Sequence, residues 1–201
     1  LNFEVGIFSN LTHDHLDYHG TFDEYLRCKK LFFDRLGGNA TAITNADDRN
    51  GMVMVQNTVA KVMTYSCRSA ADHSCRMMEE SMEGMLLRID GTEVYSRLVG
   101  AHNAYNLLAI YCAALALGKE KDEILVALSS LESARGRLEV IHGFRGISVV
   151  IDYAHTPDAM ENVLKTLRGI AVGHELVCLF GCGGDRDRTK RPEMAKVAGK
   201  Y

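Results

Sequence analysis

The sequence predicts an α/β fold in two unequal parts, and three observations carry that reading. Short β-branched apolar runs alternate with stretches whose apolar residues recur at helical spacing. A Gly- and Arg-rich stretch without periodicity, 133–146, interrupts the pattern and places a boundary near 135–137, dividing 1–133 from 134–201. Beyond it, strand, helix, strand and helix follow at the spacing with which a parallel sheet opens.

In order, residues 3–9 read as a buried strand that runs into a polar, His-rich loop over 10–20, and function often sits on such a loop. Thr21 with Glu24 makes a capping box. Phe22, Tyr25, Leu26, Phe33 and Leu36 then recur at helical spacing until Gly37 and Gly38 end the run. Strands are expected at 41–44 and 59–65, with a weakly periodic helix at 49–57 between them. Residues 86–89 and 93–98, joined across Asp90-Gly91, predict a hairpin. The Ala- and Leu-rich 102–117 and, after Gly118, 122–131 predict two helices. The second part is expected to hold a strand at 147–152, a helix at 157–167, a strand at 175–180, a glycine-rich turn at 181–187 and a helix from Pro192 onward.

Composition narrows the function classes. With 201 residues, 47% apolar and 24% charged, the chain is neither disordered nor collagen-like. Lys plus Arg at 23 against Asp plus Glu at 26 leaves a formal charge of −3, without the basic excess that argues for a nucleic-acid partner. No apolar run approaches the ~20 residues of a membrane helix. Six irregularly spaced cysteines, none in a C-x-x-C pair, point to a reducing, cytoplasmic compartment. The chain opens at Leu1 and stops at Tyr201 within a helical pattern, so a piece of a longer protein is expected.

Five constellations carry chemistry. His13-Asp14-His15-Leu16-Asp17-Tyr18-His19 concentrates imidazoles and carboxylates that could ligate a divalent cation, although polar loops also collect these residues for turns. It nearly matches the H-x-H-x-D-H pattern of a metallo-hydrolase, but Tyr18 breaks the match. On the following helix, Asp23, Arg27, Lys30 and Asp34 form a polar stripe, while Lys29 falls on the apolar one. An amine held there would favour its neutral form, which can react with carbon dioxide; the resulting carbamate is a hard oxygen ligand suited to magnesium. The alternative is that Lys29 carries its head to the surface.

At the entrance to the long helix, Gly100-Ala101-His102-Asn103-Ala104-Tyr105-Asn106 offers backbone donors and two amides, with Asn103 alternatively serving only as a cap. Gly136-Arg137-Leu138-Glu139 and Asp152-Tyr153-Ala154-His155-Thr156-Pro157-Asp158 lie about a strand whose carboxyl end would present Asp152 and His155 to a ligand, Asp158 being open to a capping role. Gly181-Cys182-Gly183-Gly184-Asp185-Arg186-Asp187 and the cations through Arg191 suit a carboxylate or phosphate, or simply a solvated turn. Neither the Walker nor the dinucleotide fingerprint is matched.

In this order the five blocks resemble the Mur ligases, over nearly the whole chain. In the first block this chain has His13 where the family usually carries Arg. The resemblance implies the latter part of a P-loop-type central ATPase domain followed by the opening of a Rossmann-like C-terminal domain. It implies an ATP- and Mg2+-dependent ligase in which an acceptor carboxylate is phosphorylated and an incoming amine displaces phosphate. The substrates implied are UDP-MurNAc-L-Ala-D-Glu and a diamino acid, meso-diaminopimelate ahead of L-lysine, in a protein expected to be a monomer.

By position, the resemblance makes His15 a magnesium ligand and Lys29 the carbamylated lysine that also ligates it. It assigns Asn106, Arg137 and Asp152 to ATP, Arg186 to the carboxylate of the incoming amino acid, and His155 to the same cleft as a catalytic residue. The family's phosphate loop, UDP-sugar domain and diamino-acid-reading motif are absent from these residues, so the chain alone is expected to be inactive. A folylpolyglutamate synthase-like ligase and a non-catalytic nucleotide-binding module remain the competing readings.

Overall fold

A computed structural model describes residues 2–12, 18, 20–143, 146–183 and 190–201. Six strands form one sheet in the order in which they occur in the chain. β1 (Val5–Phe8), β2 (Thr41–Asn45) and β3 (Lys61–Ser66) run parallel. β4 (His73–Ser81) joins β3 in parallel through Tyr65↔His73 and Ser66↔Ser74. It then pairs antiparallel with β5 (Gly84–Ile89), and β5 pairs antiparallel with β6 (Thr92–Ser96). The hairpin forms where Asp90-Gly91 was expected to turn: both residues have positive φ, 44° and 83°, as a tight two-residue turn requires.

Helix α1 (Phe22–Asp34) starts at the expected cap, with Thr21 Oγ1 accepting the Glu24 N–H at 3.2 Å. Its apolar stripe is buried as expected: Tyr25, Phe33 and Leu36 pack with Phe8, Ala42, Met54 and Val55, while Phe22 and Leu26 flank them. α2 (Gly51–Met54) is only one turn of the helix expected over 49–57. α3 (Ala101–Ala116) and α4 (Lys121–Ser129) cover the other part of the sheet, where Leu107, Leu108 and Tyr111 meet Ile43, Leu87 and Ile89.

The second part is built differently. β7 (Glu139–His142) and β8 (Ser148–Ile151) form a two-stranded antiparallel ladder, and α5 (Pro157–Ile170) packs on α6 (Lys190–Lys200) through Met160, Leu164 and Met194. α5 begins at Thr156, whose hydroxyl accepts the Ala159 N–H at 3.2 Å, so Asp158 is a first-turn acid and not the cap.

Two expectations are corrected here. Residues 175–180 form no strand, and β8 has an antiparallel partner instead of a parallel one. A strand exists only where its backbone groups find a ladder; among the described residues this segment has none, and Leu179 is 98% exposed. Conversely β4 and β7 were not legible. β4 reads His-Ser-Cys-Arg-Met-Met-Glu-Glu-Ser, without alternation, and a register shift between Met77 and Glu79 breaks its period.

Candidate functional site

The parallel strands end on one edge, and buried polar side chains tie that edge together. Asn45 Nδ2 donates to the Ser9 carbonyl at 2.8 Å, the Tyr65 hydroxyl to the Phe8 carbonyl at 3.3 Å, and Asp48 accepts the Leu11 N–H at 3.2 Å. These bonds fix where the chain leaves β1 and enters the His-rich loop. His15, with His13 and His19, lies outside the described residues, and so does Arg186.

Asp47 is the centre of the edge. Its side chain is 2% exposed. It accepts from the Ser66 hydroxyl at 2.8 Å, from the backbone N–H of Cys67, Arg68 and Ser69, and from the Tyr105 hydroxyl of α3 at 2.7 Å. Burial alone would push this carboxyl up, but the hydrogen bonds of Ser69, Tyr105, Ser66 and Cys67 outweigh it and hold it well below the ordinary range. Sequence reasoning passed over Asp47. The available signal was Asn45-Ala46-Asp47-Asp48 directly after an apolar strand, a run whose short polar side chains bond nearby backbone.

A cavity of about 320 Å³ opens beside the β1 exit, lined by Ser9, Asn10, Cys28 and Lys29 with an aromatic wall of Tyr25, Phe32 and Phe33. Of the two readings of Lys29, the structure shows the one in which its head is carried to the surface. It is exposed, with its ammonium 5.6 Å from the Tyr25 ring centroid. Four residues after Tyr25, it sits at the margin of the stripe, where a long stem carries the charge outward. The more enclosed lysine is Lys30, 15% exposed and paired with Asp34 on the same helix. Burial therefore gives no argument for a neutral Lys29 amine, and its place in the aromatic cavity remains.

At the start of α3, Gly100 has φ 100° and its N–H donates to Glu80 at 2.8 Å. Asn103 is not the cap: its amide donates to the Val99 carbonyl at 2.7 Å, and its oxygen accepts the amide of exposed Asn106 at 3.2 Å. Gly100 also marks a close approach. A Cβ there would stand 2.8 Å from Leu138 Cδ1 and 2.6 Å from the His102 ring.

Leu138 belongs to the turn that carries Arg137. Its N–H donates to Asp152 Oδ2 at 2.9 Å, and the Tyr153 N–H donates to the Gly136 carbonyl at 2.8 Å. The Arg137 guanidinium lies 5.4 Å from the Tyr153 ring centroid, and the exposed His155 ring lies 5.4 Å from the same ring. Partial desolvation lowers the His102 pKa while the Asp152 charge acts in the opposite sense, which puts these two side chains in one electrostatic neighbourhood. Asn106, Arg137, Asp152 and His155 thus belong to two chain segments that meet at Gly100 and Leu138. No contact among the described residues links them to Lys29, and no group of three or more His, Cys, Asp or Glu among the described residues could hold a metal.

Comparison with known proteins follows the same division. The Mur ligase middle domain matches residues 1–114, and the Mur ligase glutamate ligase domain matches 136–201. UDP-N-acetylmuramoyl-L-alanyl-D-glutamate--2,6-diaminopimelate ligase of Cytophaga hutchinsonii is 48% identical over 201 residues, and that of Parabacteroides distasonis 51%. All of this chain is covered in both, but it spans only 41% of the relatives' length. A solved structure of a ligase of the same name superposes with a TM-score of 0.73 at 35% identity, covering 98% of this chain and 42% of its own.

Proposed function

Because the chain belongs to the Mur ligase family, we propose that it is the segment of an ATP-dependent ligase that adds a diamino acid, meso-diaminopimelate ahead of L-lysine, to UDP-MurNAc-L-Ala-D-Glu. Residues 1–133 act as the later part of the nucleotide-binding domain and 134–201 as the opening of the amino-acid-binding domain. The work would lie in the cytoplasm, where the nucleotide substrates are; no described helix is long and apolar enough to cross a membrane.

The observation that carries the reading is the junction at Leu138. Asp152 spends Oδ2 on the Leu138 amide, which leaves Oδ1 for a ribose hydroxyl, while Arg137 stands beside it for phosphate. Asn106, half committed to Asn103, presents the rest of its amide from the helix start. His155 and Arg186 serve the amino-acid side of the cleft.

Lys29 and His15 are assigned to magnesium, which when bound offsets phosphate charge during phosphoryl transfer. The fit rests on donor chemistry: a carbamate on Lys29 would bring hard oxygens into a cavity that Ser9 and Asn10 also line. The chain's own residues hold the β1 exit rigid through Asn45, Tyr65 and Asp48 and keep an aromatic wall against bulk water.

The test is a coupled phosphate-release assay on the full-length ligase that carries this segment, with ATP, magnesium, UDP-MurNAc-dipeptide and each diamino acid. Diaminopimelate-dependent release that falls at least about a hundredfold in Arg137→Ala supports the reading, a loss of the size expected for a charge-assisted contact on a transferring phosphoryl group. Turnover with neither diamino acid, or full turnover in the variant, overturns it.

A further inference from the structure

A second cavity, of about 470 Å³, opens at the far side of the same strand edge and shares no lining residue with the cavity at Lys29. Its walls are Ser66, Cys67, Arg68 and Ser69 after β3, Ser74, Cys75 and Arg76 on β4, and Arg88 with Gly91 on β5. Three arginines are among its lining residues, and among the described residues no carboxylate is.

The strand register makes this arrangement costly. Arg76 and Arg88 are direct cross-strand partners, and like charges placed so are destabilising. Arg88 is partly offset by Glu93 on β6 at 2.6 Å, and Arg68 turns its Nε to the Tyr105 hydroxyl at 3.1 Å. Arg76 has no ion pair or hydrogen bond among the described residues. The row across the three strands is therefore Arg76, Arg88, Glu93, with one carboxylate for two guanidiniums. Beside it stands Arg68, 74% exposed, whose Nε lies 3.9 Å from the Asp47 carboxylate.

We propose that Arg68, Arg76 and Arg88 form a binding site for a small phosphorylated anion, separate from the nucleotide-binding residues at the Leu138 junction. Planar guanidinium forks match phosphate oxygens two by two, and a ligand of this charge removes the Arg76–Arg88 repulsion that the fold alone leaves standing. Serine hydroxyls at 69 and 74 flank the same space. The chain's net charge of −3 favours a compact anion over an extended polyanion.

Inorganic pyrophosphate is the probe, titrated calorimetrically into the chain, with a single-stranded oligonucleotide as comparator. Saturable pyrophosphate binding should weaken about tenfold in Arg76→Gln, the worth of one charged hydrogen-bonding partner, and should persist in Arg137→Ala. Without ligand, Arg76→Gln should melt no lower than the parent, because it removes a repulsion. Binding that ignores Arg76→Gln and Arg88→Gln but is lost in Arg137→Ala overturns the proposal and assigns the anion to the Leu138 junction. Absence of binding overturns it also, as does tighter binding of the oligonucleotide, which would mark a diffuse basic face.

Discussion

β2, Thr-Ala-Ile-Thr-Asn, and β8, Ser-Val-Val-Ile, are both short runs rich in β-branched residues, yet they live in opposite surroundings. In β2, Ala42 and Ile43 are completely buried between helices on both faces of a sheet with neighbours on either side. In β8, Val149 is 48% and Ile151 45% exposed, on a ladder with one partner. Local composition proposes a strand; the number of partners decides what that strand buries. The same contrast separates the wide cores under α1 and α3 from the small cluster of Met160, Leu164 and Met194 between α5 and α6.

That contrast can be broken most forcefully in the core. Leu107→Ala, at a side chain with no exposure, should cost about 3–4 kcal/mol in urea denaturation, whereas Val149→Ala should cost less than about 0.5 kcal/mol. Equal losses would mean that the second part is as tightly packed as the first.

A smaller effect, about 2–3 kcal/mol, is expected from Asp47→Asn, which leaves several donors facing an amide that cannot accept them all. The pH dependence has a definite sign. Asp47 titrates below its unfolded value of 3.8, so its stabilisation is present above that pH and is lost as pH falls below it. The variant should therefore show a shallower acid-unfolding profile in that window. An unchanged profile would remove Asp47 from its place at the strand edge.

Smallest are the two helix caps. Thr21→Ala and Thr156→Ala should each remove about 1 kcal/mol from their own helix. If the two parts respond differently, Thr21→Ala lowers the main melting transition, and Thr156→Ala appears only in local amide exchange of α5. A shared main transition would show the parts unfolding together.

Legibility followed physical locality. α1 was readable because its cap, stripe and terminating glycines all lie within one stretch of chain, and the Asp90-Gly91 hairpin because two positive φ values have a sequence signature. β4 was not, since its pairing depends on β3 and β5 and not on its own pattern. In the site, Asn106, Arg137 and Asp152 could be named from motif blocks, but the meeting of Gly100 with Leu138 depends on packing across some forty intervening residues. Lys29 shows the limit of periodicity: helical spacing places a residue near a stripe, and only the neighbouring element decides whether its end is enclosed.

Leu138 has one further consequence. It is 2% exposed and has φ 44°, a left-handed backbone that a leucine keeps only while its surroundings compel it. The Asp152 carboxylate and the approach of Gly100 are those surroundings. Opening the contact between the helix start and the turn should therefore let Leu138 relax toward negative φ, an outcome that faster amide exchange at Leu138 and Glu139 in a Gly100 variant would report.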